Sequence, residues 1–130
     1  MTWTVSVVRS LLVGCALVVI AGCGSGENAQ PADPAQSMKA LQSVRDAWKA
    51  GEKPEDLEKL TPPIHVKDAD WKGGFFLVSY KADQEGRLVG YDMNYAVLLE
   101  LKNSKGTPVK KTAVYSITTR PSLLVARQEG

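Results

Sequence analysis

The sequence predicts an α+β domain in which one amphipathic helix is followed by a strand-rich second half. Three observations carry this. Met38, Leu41, Val44 and Trp48 recur at helical spacing and give one apolar stripe. Val89, Tyr91, Met93, Tyr95, Val97, Leu99 and Leu101 alternate without a break, which is the period of a half-buried strand. Residues 11–22 form an apolar run behind a weakly basic start, so the chain opens on an export segment rather than on part of the fold.

The helix is expected over residues 37–50, with Ser37 as its N-cap and Gly51 in the left-handed position that ends it. Lys39, Gln42, Arg45, Asp46 and Lys49 are expected to face water. Pro54 suits the first turn of a short second helix, with Glu55 and Asp56 near its positive end and Leu57 and Leu60 inward. The run Thr61-Pro62-Pro63 stops it. Ile64, His65 and Val66 read as a short strand, residues 67–70 as a turn before Trp71, and Gly73-Gly74 as a tight reversal.

Strands follow. Residues 75–80 are compact and aromatic-rich, and residues 82–86 are turn-like. Gly90, inside the long alternation, is a candidate bulge or curvature point, and Asp92, Asn94 and Glu100 fall on the opposite face. Residues 103–108 make a hairpin loop. Residues 109–119 form a second long strand, with Ala113, Tyr115 and Ile117 on one face; Pro121 interrupts it before a last strand at 123–127. Sequential hairpins give an antiparallel sheet with one face covered by the N-terminal helix. A helix laid across a strongly curved sheet resembles the cystatin-like or NTF2-like α+β class. A small barrel or a two-layer sandwich with an N-terminal helix is the alternative.

The export segment is about a dozen apolar residues, short of the ~20 a membrane-crossing helix needs. It ends at Ile20-Ala21-Gly22-Cys23. An aliphatic residue and two small ones before a cysteine look like the lipobox of a bacterial lipoprotein. The resemblance implies that residues 1–22 are a signal peptide and that Cys23 becomes the first residue and carries a diacylglycerol and an N-acyl chain. Residues 23–36 are then a lipidated cysteine and flexible tether, and residues 37–130 a single α+β domain. A secreted protein with a chance cysteine at its cleavage site is the competing reading. Cys15 and Cys23 are the only cysteines, so a domain processed this way has no disulfide and relies on its core. The expected location is the cell envelope, facing periplasm or exterior. Gly24 rather than Asp after the cysteine favours the outer membrane where there are two.

Sixteen Lys and Arg balance 14 Asp and Glu, for a formal net charge of +2. That argues against nucleic-acid binding, which needs several phosphate contacts. Lys102, Lys105, Lys110 and Lys111 cluster around one turn and read as a solvated hairpin tip or a contact for anionic lipid or polymer.

Few residues suggest chemistry. His65 is the only histidine, and Asp68 and Asp70 beside it match no calcium-loop spacing, so neither a metal nor a cofactor is expected. Asp92 and His65 are weak polar candidates for acid–base work in a cone-shaped pocket. Trp71, beside Gly73-Gly74, is the best candidate for an exposed aromatic, and with Tyr91 and Tyr95 it forms the proposed ligand or partner surface. The string Gln84-Glu85-Gly86-Arg87-Leu88-Val89-Gly90 does not match the Q-x-V-x-G hairpin of inhibitory cystatins.

Four pieces read together, Ala47-Trp48-Lys49-Ala50-Gly51, Asp68-Ala69-Asp70-Trp71, Gly73-Gly74-Phe75 with Tyr80, and Val114-Tyr115 with Arg120-Pro121, resemble small secreted or lipidated proteins of planctomycete-type bacteria. That group implies a location and a fold, and no activity. The leading functional expectation is a non-enzymatic, membrane-tethered interaction module whose long final strands pair with an envelope protein or with a second copy. A small-ligand binder or weak enzyme, and a structural envelope component, are the alternatives.

Overall fold

A computed structural model describes residues 30–128. Helix α1, Pro34–Lys49, leads into a 3-10 segment at Pro54–Lys59. Strand β1 (Ile64–Lys67), helix α2 (Ala69–Lys72) and strands β2 (Phe76–Ala82), β3 (Arg87–Val89), β4 (Asp92–Lys102), β5 (Pro108–Thr118) and β6 (Leu123–Arg127) follow. The result is an α+β fold with the N-terminal helix packed on one face of a curved, mixed sheet.

α1 begins earlier than the stripe suggested. Asp33 caps it, accepting from the Gln36 N–H at 3.2 Å, and Pro34 occupies the first turn, where its missing N–H costs nothing. Ser37, expected at the cap, is instead buried within the helix. Gly51 closes the helix end with φ of 85°. Leu57 is buried as expected, but Leu60 is 46% exposed, because the 3-10 segment ends before it and turns it outward.

The sheet runs in the order β1-β6-β5-β4-β2, with β3 also on β4. β5 fills one side of β4, so β2 and β3 share the other: β2 lies beside Val97 to Lys102 and β3 beside Asp92 to Asn94. Two expectations need correction. The long alternation is not one strand, because Val89 pairs with Asp92 and the chain reverses through Gly90 and Tyr91, with Gly90 at φ 65°. The sheet is also not wholly antiparallel, since β1 pairs parallel to β6 from Ile64↔Leu123 to Lys67↔Ala126. A bulge does occur, in β2: pairing steps from Leu77↔Leu101 to Ser79↔Glu100 and leaves Val78 unmatched.

The predicted inward residues of β4 and β5 are all buried, from Met93 to Leu101 on one strand and Ala113, Tyr115 and Ile117 on the other. With Leu41, Val44 and Trp48 of α1 and Val125 of β6 they form one core cluster. Fully burying each such side chain stabilises the fold by roughly 1.5–3 kcal/mol. No helix among the described residues is long and apolar enough to cross a membrane.

Candidate functional site

The most unusual chemistry lies inside. Arg45, expected at the surface, has no exposed area. Its Nη1 donates to the Tyr115 hydroxyl at 2.9 Å, and that hydroxyl donates to Oδ2 of Asp68. Asp68 Oδ1 accepts from the N–H groups of Asp70 and Trp71 at 3.0 and 3.3 Å, which caps α2, and lies 3.4 Å from Nη1 of Arg127. Arg127 also donates to Asp70, as does Lys111 at 3.0 Å. Three cations and two carboxylates therefore tie α1, α2, β5 and β6 together.

Electrostatics follow from burial and pairing. Burial lowers the Arg45 guanidinium, against the raising influence of Tyr115 and Asp68. Burial, aided by the Asp68 charge and hydrogen bond and opposed by Arg45, drives the Tyr115 hydroxyl well above the usual phenol range, so it remains a donor. Burial alone would raise Asp70, but hydrogen bonds and charge from Arg127 and Lys111 outweigh it and hold the carboxyl below its ordinary range. Arg45 Nε and Nη2 find no hydrogen-bond partner among the described residues. They lie against aromatic rings, with the guanidinium carbon 5.5 Å from the Trp48 centroid. The arrangement holds elements together; it exposes no nucleophile.

The sequence-derived candidates do not converge. Trp71 is only 7% exposed: its ring stacks on Trp48 at 5.5 Å and 14°, and its indole N–H donates to the Glu52 carbonyl at 3.0 Å. Tyr95 is buried, with its hydroxyl 3.3 Å from the Pro34 carbonyl, whereas Tyr91 sits in the β3–β4 turn and is 56% exposed. Asp92 lies on the outer sheet face, accepting from Ser116 at 3.2 Å and Thr118 at 3.0 Å. His65 is exposed on β1 with Nδ1 3.6 Å from Glu58. Cys23 lies outside the described residues. The interior that a cone-shaped pocket would need is occupied by Arg45, Tyr95 and Tyr115. No group of three metal-ligating side chains occurs among the described residues.

The surface offers more. The long final strands β5 and β6 are interior to the sheet, so the unpaired edge next to β4 is β2. Phe76 (60%), Val78 (41%) and, on β4, Leu98 (43%) expose large apolar side chains there. A groove of about 490 Å3 runs between this strand and α1, lined by Met38, Gln42, Asp46, Tyr80 and Ala82 among others. The basic cluster is smaller than the sequence implied, because Lys111 points inward to Asp70 while Lys110 pairs with Glu100 at 3.8 Å. Comparison of the chain with protein-family models, curated proteins and solved structures returned no match.

Proposed function

We propose that the protein is a membrane-tethered module of the cell envelope that takes a strand of a partner protein along the free edge of β2 and catalyses no reaction. The observation that carries this is the β2 edge itself. It has unpaired backbone groups, no proline, a single charged residue in Lys81, exposed Phe76 and Val78 at its start, and, at Tyr80 to Ala82, a groove bounded by α1. An extended peptide gains main-chain hydrogen bonds at such an edge and side-chain specificity from the groove. The bulge at Val78 splits the strand into residues 76–77 and 79–82, so no long regular edge is presented, which limits indiscriminate self-assembly. A helix lying within a wrapped sheet supports a cystatin-like or NTF2-like shape for the module.

Attachment through acylated Cys23 supplies the membrane part of the reading, in the envelope and facing periplasm or exterior. Labelled fatty acid is expected in the wild-type chain and not in Cys23→Ala. A photo-crosslinking residue at position 78, in intact cells, is expected to give one discrete protein adduct that the same residue at exposed Thr112 does not. Absence of any adduct at 78, or an equal smear from both positions, defeats the module reading.

A further inference from the structure

The chain joins the domain at one end of the sheet. Ala32 is 3% exposed, and its N–H donates to the Tyr91 carbonyl at 2.9 Å. The Asp33 N–H donates to Thr119 Oγ1 at 3.1 Å. These bonds pin the start of the domain to the turn between β3 and β4 and to the turn at 119–122 between β5 and β6. The pairings Val89↔Asp92 and Met93↔Ile117 place the two turns side by side.

That end is apolar on its outside. Leu88 is 50% exposed, Val89 51% and Tyr91 56%, and Arg87 and Arg120 beside them are exposed as well. Leu88 pairs across from inward-facing Met93 and Val89 across from outward-facing Asp92, so the hairpin tip is apolar on both faces. Of the acids at this end, Asp92 is held by Ser116 and Thr118 and Asp33 caps α1.

We infer that this end of the sheet docks on the bilayer, with Leu88, Val89 and Tyr91 entering the boundary between headgroups and acyl chains. The inference rests on the acylation of Cys23 proposed above. Cys23 and Ala32 are separated by nine peptide steps, a reach of at most about 30 Å. The anchor therefore holds the β3–β4 tip close to the membrane surface. β4 carries the opposite end, with Lys102 and Lys105, roughly 33 Å further on. Charge at that distance is screened, since the Debye length is ~8 Å in physiological salt. The apolar tip, and not the basic turn, is thus the contact within reach. Tyrosine suits an interface with one wet side, and Arg87 and Arg120 can extend their heads to phosphates while their stems stay apolar. Acyl chains alone hold with a strength set by their number, and a protein contact adds a second signal and fixes the orientation of the domain.

The test uses the processed full chain in phosphatidylcholine vesicles. Cys15 and Cys23 are the only native cysteines, so Val89→Cys and, separately, Lys105→Cys give single sites for a nitroxide label once Cys23 is acylated. Both positions are exposed, and matching circular dichroism melts confirm the fold. The expected result is an oxygen-to-nickel accessibility ratio several-fold higher at 89 than at 105, falling when Leu88→Ser and Tyr91→Ser are added. Labels that are both aqueous, on protein that floats with vesicles and carries acyl mass on Cys23, overturn the docking and leave the anchor standing. Immersion at 105 alone overturns it in favour of the basic turn. Shielding at 89 without vesicles overturns it in favour of self-association or cover by the chain's own N-terminal residues. A chain that carries no acyl mass and does not float overturns the anchor, and the docking with it.

Discussion

The guanidinium carbon of Arg45 lies 3.7 Å over the ring of Tyr115, while its Nη1 donates to that ring's hydroxyl. One side chain of α1 thus meets one of β5 through both a π face and a hydrogen bond, and the hydroxyl passes the interaction on to Asp68. Removing Asp68 leaves the buried Arg45 charge without its carboxylate, removing the Tyr115 hydroxyl leaves Nη1 without its acceptor, and removing Arg45 empties a buried site and takes away one of the two arginines near Asp68. Arg45→Ala and Asp68→Ala are each expected to cost about 3–5 kcal/mol, and Tyr115→Phe about 1–3 kcal/mol. In a urea-denaturation cycle of Arg45→Met, Asp68→Ala and the two together, the double variant should cost much less than the sum of those two single changes. Additive losses would mean that the charges do not meet in solution.

Asp70 makes acid stability measurable. Burial opposes its ionisation, but Arg127 and Lys111 hold its folded value below the ordinary 3.8. A carboxyl lowered on folding stabilises above its unfolded value, and the contribution disappears as pH falls through the folded one. Wild type should therefore lose stability more steeply than Asp70→Asn below about pH 4, with the two running parallel near neutrality. Chemical denaturation across the acid range checks this, and parallel curves throughout would refute it.

Trp71 distinguishes packing from recognition. Trp71→Ala removes the stack on Trp48 and the indole hydrogen bond to Glu52, and should cost about 3–5 kcal/mol. Near-ultraviolet circular dichroism should lose the coupled-indole signal in the same variant. A change of less than 1 kcal/mol, far under that range, would place the ring outside the core.

Two glycines should respond for different reasons. A Cβ on Gly90 meets nothing within 4 Å, yet φ of 65° is left-handed, so Gly90→Ala should cost about 1–2 kcal/mol and Gly90→Asn less. A Cβ on Gly86 would sit 2.5 Å from the Tyr95 ring and 2.6 Å from the Met93 methyl. Met93 can swing away, but Tyr95 is held by its bond to Pro34. Gly86→Ala should cost about 1–3 kcal/mol through overpacking, relieved by Tyr95→Leu. Thermal melts of the four variants separate the two causes.

Where the hydrophobic period is long, the sequence was legible. The inward faces of β4 and β5 and the stripe of α1 could be read directly, because burial on one face imposes the pattern. The β3–β4 turn was hidden by arithmetic. A two-residue reversal at Gly90 and Tyr91 keeps the odd–even count intact, so the alternation runs on while the faces exchange. Arg45 was missed because its charge argued for water. Met38, Leu41, Arg45 and Trp48 also share helical spacing, but the Asp68 that compensates Arg45 is far away in sequence. Parallel pairing of β1 left no signal, since four residues carry too little pattern. Trp71 was singled out as the best candidate for exposure on the strength of its glycine neighbours, although a stacking partner on α1 covers it.

β6 lies between β1 and β5, and it carries Arg127 to the carboxylates of Asp68 and Asp70. The last strand of the described residues therefore closes the middle of the sheet instead of decorating its rim. A ribosome that releases this chain from its front end hands over β1 with no strand beside it and Asp70 without Arg127. β1 gains its strand partner, and Asp70 its arginine, only when residues 123–127 are in place.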